Sequence, residues 1–208
     1  MSHIYSNSCG DAWFKYLKMI VNYGIINHDS IQMILECDYA LIEIESFLSK
    51  DTIIERFADD KLIDLYYQKL FNIEVIQPFK FSYGKRLFNQ NGINQVDWII
   101  KILKTKKESK SASISLLTPN EIYGEVPCLI SVTAKIRNDK LLLTCVFRSQ
   151  NVLRSYANFI ALRKLQEFIS EKLSYPPGRL LFFINSPHLY LEDLDFAKSV
   201  IKRIYEKL

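Results

Sequence analysis

The sequence predicts an α/β protein, and three stretches carry that prediction. Residues 126–151 (VPCLISVTAKIRNDKLLLTCVFRSQN) alternate in polarity on either side of a polar Arg137-Asn138-Asp139 turn, the pattern of an antiparallel hairpin. Residues 156–173 place Phe159, Leu162, Leu165, Phe168, Ile169 and Leu173 at helical spacing. Residues 179–190 (RLLFFINSPHLY) read as a buried strand, followed over 191–208 by a helix with Leu194, Ala197, Val200, Ile201 and Ile204 inward. At 208 residues the chain fits a single domain. A composition 49% hydrophobic and 13% aromatic, with six Gly and six Pro, buries a sizeable core and excludes disorder.

From the N-terminus, Asp11 is the expected cap of a helix whose Trp13, Tyr16, Leu17, Ile20 and Val21 share a face, with Gly24 ending it. Residues 30–36 (SIQMILE) suit a strand or a helix equally. The spacing over 38–48 predicts a helix on which Glu43, four residues before Phe47, shares an apolar face. A carboxylate buried there has a raised pKa and can shuttle protons. Another helix is expected over 62–76, and a third, carrying Trp98, over 96–103; Tyr83-Gly84 before it reads, taken alone, as an ordinary turn. Residues 111–117 (SASISLL) alternate as a half-buried strand, stopped by Thr118-Pro119-Asn120. In the central hairpin Ile130, Val132, Ala134 and Ile136 line one face, and Leu141, Leu143, Cys145 and Phe147 one face of the return strand. Cys145 is therefore core, whereas Cys128 stands at the strand's entry behind Pro127, open to solvent. Asn158 lies in the first turn of the helix over 156–173, an ordinary place for a capping residue.

Charge and cysteine usage narrow the function. The net charge of +4 is mild, and the densest basic run, 104–110 (KTKKESK), has no interleaved aromatics, so it reads as a solvated loop, not a nucleic-acid stripe. Four cysteines without paired ligand spacing and three scattered histidines give no metal signature. The first residues lack the basic and apolar regions of a signal peptide, and no apolar run approaches the length of a membrane span. The expectation is a cytoplasmic protein with reduced thiols and neither a membrane nor a nucleic-acid partner.

A hairpin brings its two ends together, so the Cys128 sulfur and the Arg148 guanidinium are expected at one site. A cation beside a thiol raises the thiolate fraction, which turns an inert cysteine into a nucleophile. Pro127-Cys128, a strand, Arg148-Ser149, Asn158 opening a helix, and His188-Leu189-Tyr190 resemble, in that order, the chemistry-bearing residues of thymidylate synthases and the related pyrimidine hydroxymethylases. Glu43, Phe47, Leu48, Asp51 and Thr52 (E-x-x-x-F-L-x-x-D-T) are similar to the family's catalytic-glutamate segment, and Tyr83-Gly84-Lys85 to its Tyr-Gly-Arg/Lys segment. The resemblance runs from about 43 to 197, is strongest over 126–190, and leaves residues 1–37 divergent.

That resemblance implies a mixed β-sheet with helices packed on one side, dimerising through the sheet. It also implies transfer of a one-carbon unit to carbon 5 of a uridine nucleotide. Cys128 would add to carbon 6, Arg148 would hold the thiolate and a phosphate oxygen, and Ser149 and Lys110 would bind phosphate. Asn158 would read uracil by donating to its carbonyl and accepting from N3. His188 and Tyr190 would bind a sugar hydroxyl, and Glu43 would relay protons through water. The implied one-carbon donor is methylenetetrahydrofolate, with Asn151 and Trp98 facing it.

The sequence departs from the family in five places. Lys110-Ser111 stand where a pair of arginines reaches across the dimer, and Asn151 stands where an Asp follows Arg-Ser. The loop to Asn158 is one residue shorter, the arginine-bearing phosphate loop near the N-terminus is absent, and the last helix has no long tail after it. Two alternatives accommodate these departures: a hydroxymethylase of a specialised nucleoside or modified-base pathway, and a catalytically silent nucleotide- or subunit-binding relative.

Overall fold

Strand-forming runs assemble into two sheets in the structure, a computed structural model that describes residues 3–29, 31–45, 50–118 and 126–207. The larger is a mixed, six-stranded sheet in the order β1 (His3–Ser6), β4 (Ala40–Ile44), β9 (Pro177–Ile184), β7 (Lys140–Phe147), β6 (Leu129–Arg137) and β5 (Ser113–Ser115). β1 runs parallel to β4 and β7 to β9, and the remaining pairs are antiparallel. The smaller has the order β2 (Ile25–His28), β3 (Met33–Glu36), β10 (Pro187–Tyr190) and β8 (Gln150–Asn151).

The central hairpin is the one its alternation predicts except at Ile130, where a register shift between Leu129 and Ser131 buries Leu129 opposite Phe147 and leaves Ile130 partly exposed. Val132, Ala134 and Ile136 face Cys145, Leu143 and Leu141 across the ladder, all buried. Asn138 and Asp139 form the two-residue turn with φ of 50° and 53°, the doubly left-handed conformation that matches strand twist and that Asn and Asp tolerate. Helix α6 (Ser155–Leu173) packs its buried face on β7 and β9, while α1 (Cys9–Tyr23) sits against α6 and α7 (Leu194–Lys207). Phe159 of α6 meets Phe182 of β9 at 4.6 Å between ring centres. Helices α3 (Asp60–Phe71), α4 (Tyr83–Phe88) and α5 (Gln95–Thr105) complete that layer, with the short α2 (Thr52–Phe57) leading into it. The opposite face of the six-stranded sheet keeps Leu142, Thr144, Val146, Leu181 and Phe183 partly exposed. Among the described residues no helix is long and apolar enough to cross a membrane.

Four expectations are corrected. The predicted helix over 38–48 is strand β4, because Ala40, Ile42 and Ile44 are buried while Leu41 and Glu43 face the other way, a period of two. The matching Phe47 and Leu48 lie outside the described residues. The apolar run over 179–190 is two strands in different sheets. It breaks at Asn185 and Ser186, whose N–H groups donate to the carbonyls of Phe147 and Arg148. The first helix is capped by Ser8, whose hydroxyl accepts from the Asp11 N–H, so Asp11 lies within it. Tyr83-Gly84, expected to precede the helix over 96–103, opens a separate helix, α4, ahead of α5. A Cβ at Gly84 would lie 2.1 Å from the Asn72 carbonyl oxygen, so only glycine permits that approach.

Arg163, buried in α6, ties the layers together. It donates to Gln166 Oε1 at 2.9 Å, to the Gly178 carbonyl at 2.8 Å and to the Ile44 carbonyl at 3.3 Å. Arg163→Ala removes a packed stem and strands buried carbonyls, so urea denaturation should show a loss of about 3 kcal/mol.

Candidate active site

The site begins where the central hairpin ends. The Arg148 N–H donates to the Cys128 carbonyl at 2.8 Å, which holds the two chain ends side by side. Its guanidinium then grips the segment leading into Cys128, with Nε on the Pro127 carbonyl at 3.2 Å and Nη2 on the Val126 carbonyl at 2.9 Å. Nη1 donates to Ser149 Oγ at 3.4 Å, and that oxygen lies 3.7 Å from Cys128 Sγ. The guanidinium thus reaches the thiol through the serine. With its oxygen accepting from Arg148, the Ser149 hydroxyl has its own proton to donate to sulfur.

A second wall comes from the four-stranded sheet. His188 and Tyr190 project to one side of β10, and their partners in register are Glu36 and Ile34 of β3 and, for His188, Asn151 of β8. His188 Nδ1 lies 3.2 Å from the Ser186 carbonyl, which can only accept, so the proton sits on Nδ1 and Nε2 keeps its lone pair. Burial lowers the His188 pKa, and the nearby Arg148 adds to this. The Ser186 carbonyl, Glu36 and Asp29 oppose it without reversing the sign. His188 is therefore a neutral acceptor at pH 7.

The third wall is aromatic. Tyr83 of α4 accepts from the Leu129 N–H at 3.1 Å, and Tyr66 of α3 lies nearby. Burial raises both phenol pKa values, with Cys128 close enough to add to the rise, so both rings stay protonated at neutral pH. These walls enclose a cavity of about 600 Å³ into which Cys128, Arg148, Ser149, Asn151, Asn158, His188 and Tyr190 all face. That volume is within the usual range of small-molecule sites, roughly 300–1,000 Å³.

The family comparison bears directly on this cavity, because a thymidylate synthase family model matches residues 35–208 and so includes all seven residues. The chain belongs to the thymidylate synthase family. A Methanosarcina mazei protein named "Putative thymidylate synthase" is 32% identical over 206 residues, 97% of this chain and 95% of its own. A protein of the same name from Methanocaldococcus jannaschii is 35% identical over 134 residues, 58% of this chain and 60% of its own. In fold, the chain is similar to the thermostable thymidylate synthase A of Bacillus subtilis. The TM-score is 0.70 at 18% identity, with 94% of this chain and 84% of that one covered.

Three expected site residues do not reach the cavity. Glu43 is turned away by the strand conformation of β4, and its carboxylate is held by Arg179 and by His3 Nε2 at 2.7 Å. Burial alone would raise its pKa, but the hydrogen bonds from Arg179 and His3 outweigh that and lower it, the reverse of what a proton shuttle needs. Trp98 is 42% exposed on α5 and Lys110 is exposed, and neither lines the cavity. Among the described residues, no cluster of His, Cys, Asp and Glu could hold a metal.

The cavity also contains residues the sequence reading passed over, Asp29, Glu36, Tyr66, Lys69 and Arg154, and Tyr83, which it quoted only as part of a matching segment. Asp29 and Glu36 belong to the hairpin of β2 and β3. Two short apolar runs around the polar Asn27-His28-Asp29-Ser30 were the available signal for it.

Two outcomes follow. In alkylation of the native protein, Cys128 and then half-buried Cys37 should react, while Cys9 and Cys145 react only after unfolding. Burial pushes the Cys9 pKa up to about 12 and that of Cys145 higher still. An NMR titration should place the His188 pKa below 6.5, with the neutral ring protonated on Nδ1. Because the folded pKa is depressed, the contribution to stability is present above the unfolded value, about 6.5, and fades as pH falls below it. His188→Asn should remove that part of the pH dependence.

Proposed function

We propose that the chain transfers a one-carbon unit to carbon 5 of a uridine nucleotide, with Cys128 as the nucleophile. The observation that carries this reading is the meeting of Cys128, Arg148, Ser149, Asn158, His188 and Tyr190 in one cavity. Carbon 5 of uracil is a poor nucleophile until a thiolate adds to carbon 6 and converts the ring to an enolate. Ser149, polarised by Arg148, stabilises the thiolate before attack and when it is expelled. Asn158 donates to the carbonyl at position 4 and accepts from the N3 proton, which favours uracil over cytosine. Neutral His188 accepts from a sugar hydroxyl through Nε2. Once carbon 5 has bonded to the incoming carbon, its hydrogen leaves as a proton and the bond from that carbon to its carrier breaks; after the exocyclic methylene so left takes up hydride or hydroxide, the Cys128–carbon 6 bond breaks and the ring is restored.

Methylenetetrahydrofolate, the donor implied by the resemblance, supplies carbon at the oxidation level of formaldehyde. The cavity fits such a donor in part: Tyr66 offers an aromatic wall, and Arg154 and Asn151 offer polar groups beyond the residues that hold the nucleotide. Asn151 Oδ1 already accepts from the Leu153 N–H at 2.9 Å, so its amide N–H groups are what it presents. A phosphate meets Arg148 and Ser149, with Lys69 and Arg154 in the same cavity in place of the family's arginine pair. Hydride given up by the reduced folate would leave a methyl product and an oxidised folate, whereas water would give a hydroxymethyl product.

The same reading makes the open sheet face a homodimer interface. Leu142, Val146, Leu181 and Phe183 lie partly exposed there, and the Glu43, Arg179 and His3 cluster is a polar contact within that surface. Light scattering should give twice the chain mass, and Leu181→Asp, which places a charge in the apolar patch, should give monomers.

Release of tritium from carbon-5-labelled UMP or dUMP should depend on methylenetetrahydrofolate. It should fall by about 10³-fold or more in Cys128→Ser, as for loss of a covalent nucleophile. The product mass separates methyl from hydroxymethyl. Release that survives in Cys128→Ser would overturn the assignment. Nucleotide binding without release would favour the silent relative.

A further inference from the structure

The small sheet sorts the polar groups of the cavity by strand. β10 lies between β3 and β8, so His188 has Glu36 as its register partner on one side and Asn151 on the other. Among the described residues, the carboxylates that line the cavity, Asp29 and Glu36, come from the β2–β3 side. The β8 side presents donors instead. Asn151 Oδ1 accepts from the Leu153 N–H at 2.9 Å, so its amide N–H groups remain for a ligand. Three residues further on, Arg154 lines the same cavity, and its guanidinium makes no hydrogen bond or ion pair with any described residue.

That guanidinium stands on a fixed base. Buried Val152 pins the single helical turn Val152–Arg154, and the Ser155 hydroxyl donates to the Val152 carbonyl at 2.8 Å. The Arg154 charge lies close enough to the phenols of Tyr66 and Tyr156 to oppose the rise in pKa that burial gives them. Tyr66 lines the cavity too, so Arg154 belongs to its aromatic wall. Asn158, which reads the base, lies four residues on, one turn along α6. A nucleotide with its base at Asn158 and its phosphate at Arg148 and Ser149 therefore leaves Arg154 to a second ligand. A guanidinium presents five N–H donors in a planar fork and no acceptor. The group that meets such a fork at two points, within one plane, is a carboxylate.

Resting on the uridylate reading, we infer that Arg154 anchors a carboxylate of the one-carbon carrier. The carrier lies against Tyr66, and Arg154, with the Asn151 amide beside it, donates charge-assisted hydrogen bonds to the carboxylate oxygens. Methylenetetrahydrofolate, which carries two carboxylates, is of that class. Arg154 touches no reacting atom. It is a specificity determinant that selects an acidic carrier over a neutral one, and it stands outside the residues that carry the family resemblance.

Calorimetric titrations of the full chain test this, first with UMP or dUMP and then, at saturating nucleotide, with folate and with folate dimethyl ester. Neither folate carries a one-carbon unit, and the two differ only at their carboxylates. Folate should bind roughly 10- to 100-fold more tightly than the ester, the worth of a hydrogen bond between charged groups. Arg154→Met should remove that advantage by weakening folate alone, leaving the affinities for the ester and the nucleotide unchanged. Arg154→Lys keeps the charge without the fork and should retain part of the advantage, and thermal melts establish that both variants fold. Equal binding of folate and its ester by the unaltered chain would overturn the inference, as would an advantage that survives Arg154→Met. Weaker nucleotide binding in Arg154→Met would also overturn it, assigning the guanidinium to the phosphate. Binding of a nucleotide without binding of folate would overturn it and leave the uridylate reading standing. Failure of the unaltered chain to bind either nucleotide would instead sink the uridylate reading and this inference with it.

Discussion

The site depends on how Arg148 closes the central hairpin. Its backbone N–H fixes the Cys128 carbonyl, and its guanidinium holds the carbonyls of Val126 and Pro127. A thiol at the entry to a strand is otherwise attached to a chain end with several rotamers and a loop behind it. Three hydrogen bonds from one residue, two of them from a charged donor, remove that freedom and orient the sulfur towards the cavity. A third guanidinium N–H reaches the sulfur through Ser149. One side chain therefore positions the Cys128 sulfur and is linked to it through a hydroxyl, so Arg148 acts as a structural strut of the site.

The second constraint is topological. Between β9 and β10 the chain leaves the large sheet and enters the small one within two residues, Asn185 and Ser186. Both are tied to the end of β7 through the carbonyls of Phe147 and Arg148. The same few residues thus place the small sheet against the rim where Cys128 stands. β10 carries His188 and Tyr190 into the cavity, β8 carries Asn151, and β3 carries Glu36. Buried Arg163 and Gln166 on α6 hold the other ends of β7 and β9 through the carbonyls of Leu141 and Gly178.

Legibility followed physical origin. The hairpin, helix α6 and the closing helix were readable because their periodicities extend over many residues and a single face is buried. The seven residues that share the cavity were readable through the family resemblance of Pro127-Cys128, Arg148-Ser149, Asn158 and His188-Leu189-Tyr190; the hairpin pattern by itself brought together only Cys128 and Arg148. Glu43 was misplaced because five residues of β4 satisfy a helical spacing and an alternating one equally well, and only pairing with β1 and β9 decides between them. Glu36 escaped notice for a related reason. β3 is four residues long, and nothing local says that it will lie beside His188. Tyr66, Tyr83 and Lys69 reach the cavity through helix packing, which leaves no trace in spacing.

The account rests on a covalent bond between Cys128 and carbon 6 of a uracil ring. The most direct test uses the 5-fluoro analogues of UMP and dUMP, incubated with methylenetetrahydrofolate and followed by peptide mass spectrometry. Fluorine cannot leave carbon 5 as a cation, so the ring cannot be restored and the adduct accumulates. The account predicts a mass gain carrying the nucleotide on the peptide that contains Cys128, and none in Cys128→Ser. An unmodified Cys128 peptide, or an adduct found on Cys37 instead, would contradict it.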